Sequence, residues 1–237
     1  MAYGPLPRQK LDLYVPQNPR ADGKAVIFFY GGSWDSGAKG DYLFVAQALA
    51  SRGITAVIPD YRLYPEVRFP AFLDDAALAT CWAGNRLGLS KLFIAGHSAG
   101  AHVASMLAAN TPYLAQTGID RMAMAGFIGL SGPYDFLPLK SAKLIDIFGG
   151  ANRPEIEAIT FAQAPLPRAL LIQGTADTTV YPRNSVNLAA AWQRAGAPVE
   201  LKLYDGVGHI DVVAAFSDLL HKRATTREDV LAFIDAA

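Results

Sequence analysis

The sequence predicts an α/β fold, a mostly parallel central sheet with helices on both faces. Two observations carry this. Continuous apolar runs of strand length, such as Ala25–Tyr30, Ile54–Ile58 and Leu92–Ala95, alternate with longer stretches of helical spacing. A strand buried on both faces needs unbroken apolarity, and strand–helix–strand alternation is the signature of parallel crossover units. The second observation is composition: 237 residues, 51% hydrophobic and 18% charged, are enough for a large core and lie outside the disordered range. No linker, repeat or low-complexity segment divides the chain, so one domain over 1–237 is expected.

Taken in order, Gln9 to Val15 alternates polar and apolar residues and reads as an edge strand closed by Pro16. Gln17 to Gly23 is a turn-rich loop before the buried strand Ala25–Tyr30. Asp41 to Arg52 has helical spacing, Ile54–Ile58 is a second buried strand, and Pro59–Glu66 is a structured loop. Pro70 opens a helix through about Asn85. The run to Ala95 is a strand, and a helix follows it to about Asn110. Met124 to Leu130 is a further buried strand. The segment 136–167 is irregular, with short helices near Leu139–Phe148 and Pro154–Ile159, and reads as an insertion covering the site in place of a large cap. Ala169–Gly174 is a strand, Arg183–Ala195 a helix, and Val199–Tyr204 the last strand. Thr226–Ala236 is the terminal helix, with Thr225 or Thr226 as N-cap.

Charge narrows the function classes. Lys+Arg and Asp+Glu balance at 21 each, and no basic cluster of the nucleic-acid-binding kind is present. No apolar run is long enough to span a bilayer. The histidines are scattered and no paired-cysteine or HExxH spacing occurs, so neither a metal nor another cofactor is expected. The single cysteine, Cys81, lies in an apolar helical pattern and reads as a buried, inert thiol. No basic-then-apolar leader opens the chain. A cytoplasmic location is therefore the expectation, with a secreted or periplasmic one if a signal peptide has been removed.

The chemistry centres on Gly96-His97-Ser98-Ala99-Gly100, between an apolar strand and a small-residue helix. Glycines two before and two after the serine leave room for a very tight turn, which lifts the hydroxyl off the sheet edge at a helix N-terminus. This is the nucleophile elbow of an α/β-hydrolase. A serine hydroxyl needs a base, and the base an orienting acid, which in this fold follow in the order Ser, acid, His. Of the four histidines, His97 is inside the turn, His102 is on the helix, and His221 is in a polar helical stretch. His209, in a glycine-flanked loop after the last strand, is the base. Asp177, after the strand Ala169–Gly174, is the acid; Asp135 is the rival, and Asp205 and Asp211 lie too near His209 in sequence. After the first buried strand, Gly31-Gly32-Ser33-Trp34 can turn amides outward. The N–H groups of Gly32, Ser33 and Ala99 are the candidate oxyanion hole. Trp34, Tyr64, Phe69, Tyr134 and Phe136 are candidate substrate-lining aromatics.

Together these stretches resemble the α/β-hydrolase esterases related to the hormone-sensitive-lipase group, and more closely the small carboxylesterase, feruloyl esterase and kynurenine formamidase-like set. Gly31-Gly32-Ser33-Trp34 is similar to the family's HGGxW. Asp60-Tyr61-Arg62-Leu63-Tyr64-Pro65-Glu66, with Phe69-Pro70-Ala71, is similar to DYRLxPExxFPA. The elbow, Gly174–Val180 and Gly208-His209 match the nucleophile, acid and base segments. The family histidine before the glycines, which supports the oxyanion loop, is Tyr30 here; its hydroxyl would bond at a different place, a departure that leaves the catalytic assignment standing and weakens the inference of loop geometry. The Asp60-Tyr61-Arg62 segment is expected to brace that loop through an Arg–carboxylate pair. The resemblance implies a serine carboxylic-ester hydrolase for small or aryl esters, with a small-molecule ester as substrate and neither nucleic acid nor membrane as partner. An aryl or kynurenine formamidase with the same three residues is the alternative, and a non-catalytic binding protein of this fold a remote third.

Overall fold

The computed structural model, which describes residues 1–237, contains every predicted strand. These are β1 (Leu11–Tyr14), β2 (Ala25–Phe29), β3 (Thr55–Pro59), β4 (Leu92–His97), β5 (Gly126–Leu130), β6 (Ala169–Gly174) and β7 (Val199–Tyr204). They form one sheet in the order β1-β3-β2-β4-β5-β6-β7. Only β1, paired with β3, is antiparallel; every other pairing is parallel. Every residue of β2, β4, β5 and β6 is buried. Because successive side chains point to opposite faces, both faces of the central sheet are covered. The edge strands β1 and β7 keep partly exposed positions, which is why their sequences alternate.

The helices are α1 (Leu43–Ala50), α2 (Ala71–Leu87), α3 (Ala99–Ala109), α4 (Thr111–Ala115), α5 (Ala142–Phe148), α6 (Arg183–Arg194), α7 (His209–Ala214) and α8 (Thr226–Asp235). α3 is buried along its whole length and packs behind β4 and β5, so its small residues allow close approach to the sheet. No helix is long and apolar enough to cross a membrane.

Three local expectations are corrected. The helix expected from Asp41 begins as a 3-10 turn over Lys39–Tyr42. His209 starts the short helix α7, because Val212 and Val213 behind it are buried and pull the segment into a turn. Thr225 stands at the N-cap of α8 as expected, although its hydroxyl donates to Asp229 and makes no bond to the first-turn amides, while the Thr226 hydroxyl is buried without a partner. Cys81 is half-buried, its thiol 3.6 Å from the Thr117 carbonyl. The short helix α4 escaped the sequence reading, since it buries only Leu114 and shows no apolar period.

The segment 136–167, expected as an insertion, contains α5 and two 3-10 turns at Pro154–Ile156 and Ala158–Phe161. Ile147, Phe148 and Ile156 anchor it in the main core. Glu157, only 6% exposed, accepts the amides of Phe136 and Leu137 and fixes where the insertion begins. Burial is the main influence on that carboxyl and pushes its pKa up.

Candidate active site

The elbow has the geometry its glycines imply. A Cβ on Gly96 would lie 2.3 Å from the Gly100 carbonyl oxygen, and one on Gly100 would lie 2.0 Å from that of Phe29. The turn is closed so tightly that only hydrogens fit at these two positions. Ser98 is left at φ 54°, ψ −124°, a region an L-residue enters only under constraint. The Ser98 amide donates to Leu130 on the neighbouring strand (2.9 Å), which helps hold the residue in this conformation.

The structure brings Ser98, His209 and Asp177 together. His209 Nε2 lies 2.9 Å from Ser98 Oγ, and His209 Nδ1 lies 2.7 Å from Asp177 Oδ2. A carboxylate can only accept, so Nδ1 carries the proton and Nε2 faces the hydroxyl with its lone pair. Asp177 is 2% exposed. Burial pushes its pKa up, but the bond from His209 and the amides of Val180 and Thr179 outweigh burial and hold the carboxyl below the ordinary range. A fourth donor, Gln173 Nε2, reaches Asp177 Oδ2 at 2.8 Å. Gln173 is fixed in turn, its Oε1 accepting from the Ser185 hydroxyl (3.0 Å). The rival acids are elsewhere: Asp135 accepts from Asn187 (2.5 Å), Asp205 from Thr175 (3.1 Å), and Asp211 pairs with Arg223.

The candidate oxyanion loop lies against Ser98: a Cβ on Gly31 would sit 3.0 Å from that of Ser98. Ser33 and Trp34 both have positive φ, at 50° and 61°. The amides of Gly32, Ser33 and Trp34 donate to no protein acceptor. Ser33 and Ala99 line the cavity beside Ser98, whereas Gly32 is set back against the Ser36 carbonyl.

Tyr30 does not support the loop as a histidine would; its hydroxyl accepts from Arg8 (3.0 Å), away from the site. Support comes from two buried histidines and one tyrosine. The Gly31 amide donates to the Tyr42 hydroxyl (3.1 Å), and that hydroxyl lies 3.0 Å from His97 Nδ1. His97 Nε2 reaches the backbone carbonyl of His209 (3.2 Å). On the other side, Trp34 Nε1 donates to His102 Nδ1 (3.2 Å), and His102 Nε2 donates to the Ile156 carbonyl of the insertion (2.7 Å). In both rings the partners demand a proton on Nε2 and a lone pair on Nδ1. Burial, reinforced for His97 by the charge of His209, pushes the pKa of His97 down to about 3; burial alone pushes that of His102 down to about 4. Both are neutral spacers, one tying the oxyanion loop to the base segment and the other tying it to the insertion. His221 is remote, half-buried in a 3-10 turn.

The Asp60–Glu66 segment braces the loop, though by a different bond from the one expected. The Tyr61 hydroxyl donates to the Tyr30 carbonyl (2.7 Å), and the Tyr64 amide donates to the Trp34 carbonyl (2.9 Å). Arg62 forms a two-pronged pair with the fully buried Asp75 of α2, both contacts at 2.8 Å, and so holds the segment itself.

The cavity at Ser98 has a volume of about 480 Å³, within the range of small-molecule sites. Of the five aromatic candidates, Trp34 and Phe136 line it, stacked at 6.1 Å between ring centres. The other three do not. Tyr64 turns outward to donate to Asp146 (2.8 Å), and Phe69 packs against Phe72 and Phe148. Tyr134 is fully buried against Gly129 and Gly132. Their places are taken by Pro138, Leu139 and Leu144 of the insertion and by Thr179, Val180, Tyr181, Arg183 and Asn184. Among the residues around Asp177 that the sequence reading missed, Gln173 carried a usable signal, being polar inside a buried strand.

A parallel sheet of this order, with a strained serine on the turn after its central strand, defines an α/β-hydrolase. The BD-FAE family profile matches residues 11–192, and the chain belongs to that family. It is 30% identical over 260 residues, 99% of this chain, to a probable isoprenylcysteine alpha-carbonyl methylesterase of Oryza sativa subsp. japonica; the match covers 63% of that relative's length. A kynurenine formamidase of Salmo salar is 30% identical over 140 residues, covering 59% of this chain and 47% of the relative. The chain thus spans less than two thirds of the length of these curated relatives. Among solved structures, a truncated form of carbohydrate esterase from gut microbiota superposes with a TM-score of 0.84 at 21% identity, covering 100% of this chain and 94% of that one.

Proposed function

We propose that the protein is a serine carboxylic-ester hydrolase acting on small or aryl esters through an acyl-enzyme. The observation that carries this is the hydrogen-bonded chain Asp177–His209–Ser98, set beneath amides that have no partner of their own. His209 Nε2 takes the Ser98 proton as Oγ attacks the acyl carbonyl carbon. The imidazolium that forms is held by Asp177. The carbonyl oxygen gains the charge and accepts from the amides of Ser33 and Ala99, with Gly32 as the further donor. Such donors are worth about 3 kcal/mol each. The tetrahedral adduct collapses, the C–O bond to the alcohol breaks, and His209 returns the proton to the leaving oxygen. Water then attacks the acyl carbon, His209 takes its proton, and the acid departs as Ser98 Oγ is reprotonated. Stacked Trp34 and Phe136 beside the nucleophile favour planar acyl or alcohol groups.

The formamidase match motivates a second reading, in which the same residues cleave an N-formyl group. Initial rates on p-nitrophenyl acetate, longer-chain p-nitrophenyl esters and N-formylkynurenine, with Ser98→Ala as control, test both readings. Short-ester turnover that vanishes in Ser98→Ala is expected. Turnover of N-formylkynurenine alone would favour the formamidase, and near-normal turnover by Ser98→Ala would overturn the mechanism.

A further inference from the structure

The cavity beside Ser98 is cationic at its rim and has no carboxylate in its lining. Lys140, on the insertion, and Arg183, at the start of α6, both line it and both are exposed. Neither is engaged in an ion pair or a side-chain hydrogen bond, unlike their neighbours: Lys143 is paired with Asp35, Arg68 with Asp146 and Arg153 with Glu155. The carboxylates around the cavity are all committed. Asp135 is bonded to Asn187, Glu157 to the amides of Phe136 and Leu137, and Asp177 is buried behind His209.

The positive end of α6 adds to this. The helix runs twelve residues, and its first two, Arg183 and Asn184, face the cavity. Asn184 is engaged mainly by the fold, its carbonyl oxygen accepting the amides of Tyr134 and Asp135 and one of its two amide hydrogens going to the Tyr181 carbonyl. It fixes the start of the helix and so the position from which Arg183 projects. In a chain whose formal net charge is +0, two unpaired cations and a helix N-terminus converge on one pocket that is otherwise walled by Trp34, Phe136, Leu139 and Leu144.

We infer that the natural substrate is an ester bearing an anionic group, a carboxylate or its equivalent, beyond the scissile bond, with the apolar walls taking its body and Lys140 and Arg183 its charge. This rests on the ester-hydrolase reading above and names its substrate class. Exposed cations attract such a group through water, which makes the effect modest and sensitive to salt.

The test uses two matched pairs of esters. In the first the anion is on the acyl side: the mono-p-nitrophenyl ester of glutaric acid against p-nitrophenyl valerate. In the second it is on the alcohol side: 4-acetoxybenzoate against its methyl ester. In one of the two pairs the charged-to-neutral ratio of kcat/KM is expected to fall about tenfold, about 1.4 kcal/mol, in the Lys140→Met/Arg183→Met double variant. The same ratio is expected to fall in the unmutated protein as ionic strength is raised. Which pair responds identifies the side of the ester that carries the charge. Ratios unchanged by the double variant in both pairs, with ester turnover intact, would overturn this inference alone. No Ser98-dependent turnover of any ester would overturn the ester-hydrolase reading, and this inference with it.

Discussion

Replacing Tyr42 with phenylalanine isolates the support of the oxyanion loop from everything else in the site. The ring packs against Phe28 and Phe44, at 5.6 and 5.8 Å between centres, and phenylalanine keeps those contacts. Only the hydroxyl goes, and with it the acceptor for the Gly31 amide and the donor to His97 Nδ1. Both groups are buried beneath the loop, so water does not replace the lost partner. An orphaned buried polar group costs about 1–3 kcal/mol, and two of them put the destabilisation near 3 kcal/mol. For a domain of this size that is a fall in Tm of about 6–12 °C. The kinetic effect is separate. The loop over Ser98 loses its tie to His97 and, through His97, to the backbone of His209. A displacement of about 1 Å in a catalytic donor costs on the order of 100-fold in rate. Transition-state charge is affected more than ground-state binding, so kcat should fall while KM changes little. Thermal melts and initial rates on a short p-nitrophenyl ester, measured well below the variant's Tm, read the two effects apart. A Tyr42→Phe variant with unaltered Tm and kcat would refute the strut argument, since both buried groups would then have found partners the structure does not offer.

Three further outcomes follow from the same geometry. Asp177→Asn places an amide N–H against a histidine nitrogen that must itself donate, which favours the wrong tautomer of His209. Turnover should fall about 10⁴-fold with the fold intact, whereas Asp135→Asn should leave most activity, and the reverse pattern in a rate assay would reassign the acid. Acid stability should be governed by the two buried histidines. Their pKa values, pushed down to about 3 and about 4, lie below the unfolded value of about 6.5, so the unfolded chain binds two more protons across the interval. Stability contributed by this burial is complete above pH ~6.5 and falls as pH drops, by about 2.7 kcal/mol per pH unit between pH ~6 and ~4.5. The depressed carboxyl of Asp177 acts lower, its contribution being present above pH ~3.9 and lost as pH falls through its folded value. Urea midpoints that stay flat from pH ~6 to ~4.5 would show that the histidines are not buried neutral.

The fold was legible because its signals are local and redundant. Each central strand announces itself as a nearly continuous apolar run, interrupted only by Gln173 in β6 and ended by His97 in β4, since a strand covered on both faces has little polar side to show. The nucleophile segment was legible for a related reason: Gly96 and Gly100 are where the backbone meets itself, and no other residue fits. The proposed acid and base, Asp177 and His209, could be picked by chain order and by their positions after β6 and β7. The lining was less legible. An aromatic residue near the site in sequence can turn any way, and three of the five candidates turned into the core or out to the surface. The residues that replaced them come from the insertion, whose irregular backbone carries no period to read.

By itself, then, the sequence determined the sheet, the tight glycine turn and the choice of Ser98, Asp177 and His209 as the proposed catalytic group, because those readings depend on burial pattern, steric necessity and order along the chain. Only the tertiary structure decided what holds them. Tyr42 meets Gly31 across 11 residues, His97 meets His209 across 112, and His102 meets Ile156 across 54. Such partners share no local pattern, since a hydrogen bond between distant segments exists only once the core has brought them within 3 Å or so of each other. The same holds for the cationic rim, where Lys140 and Arg183 stand on segments that only packing places around one cavity.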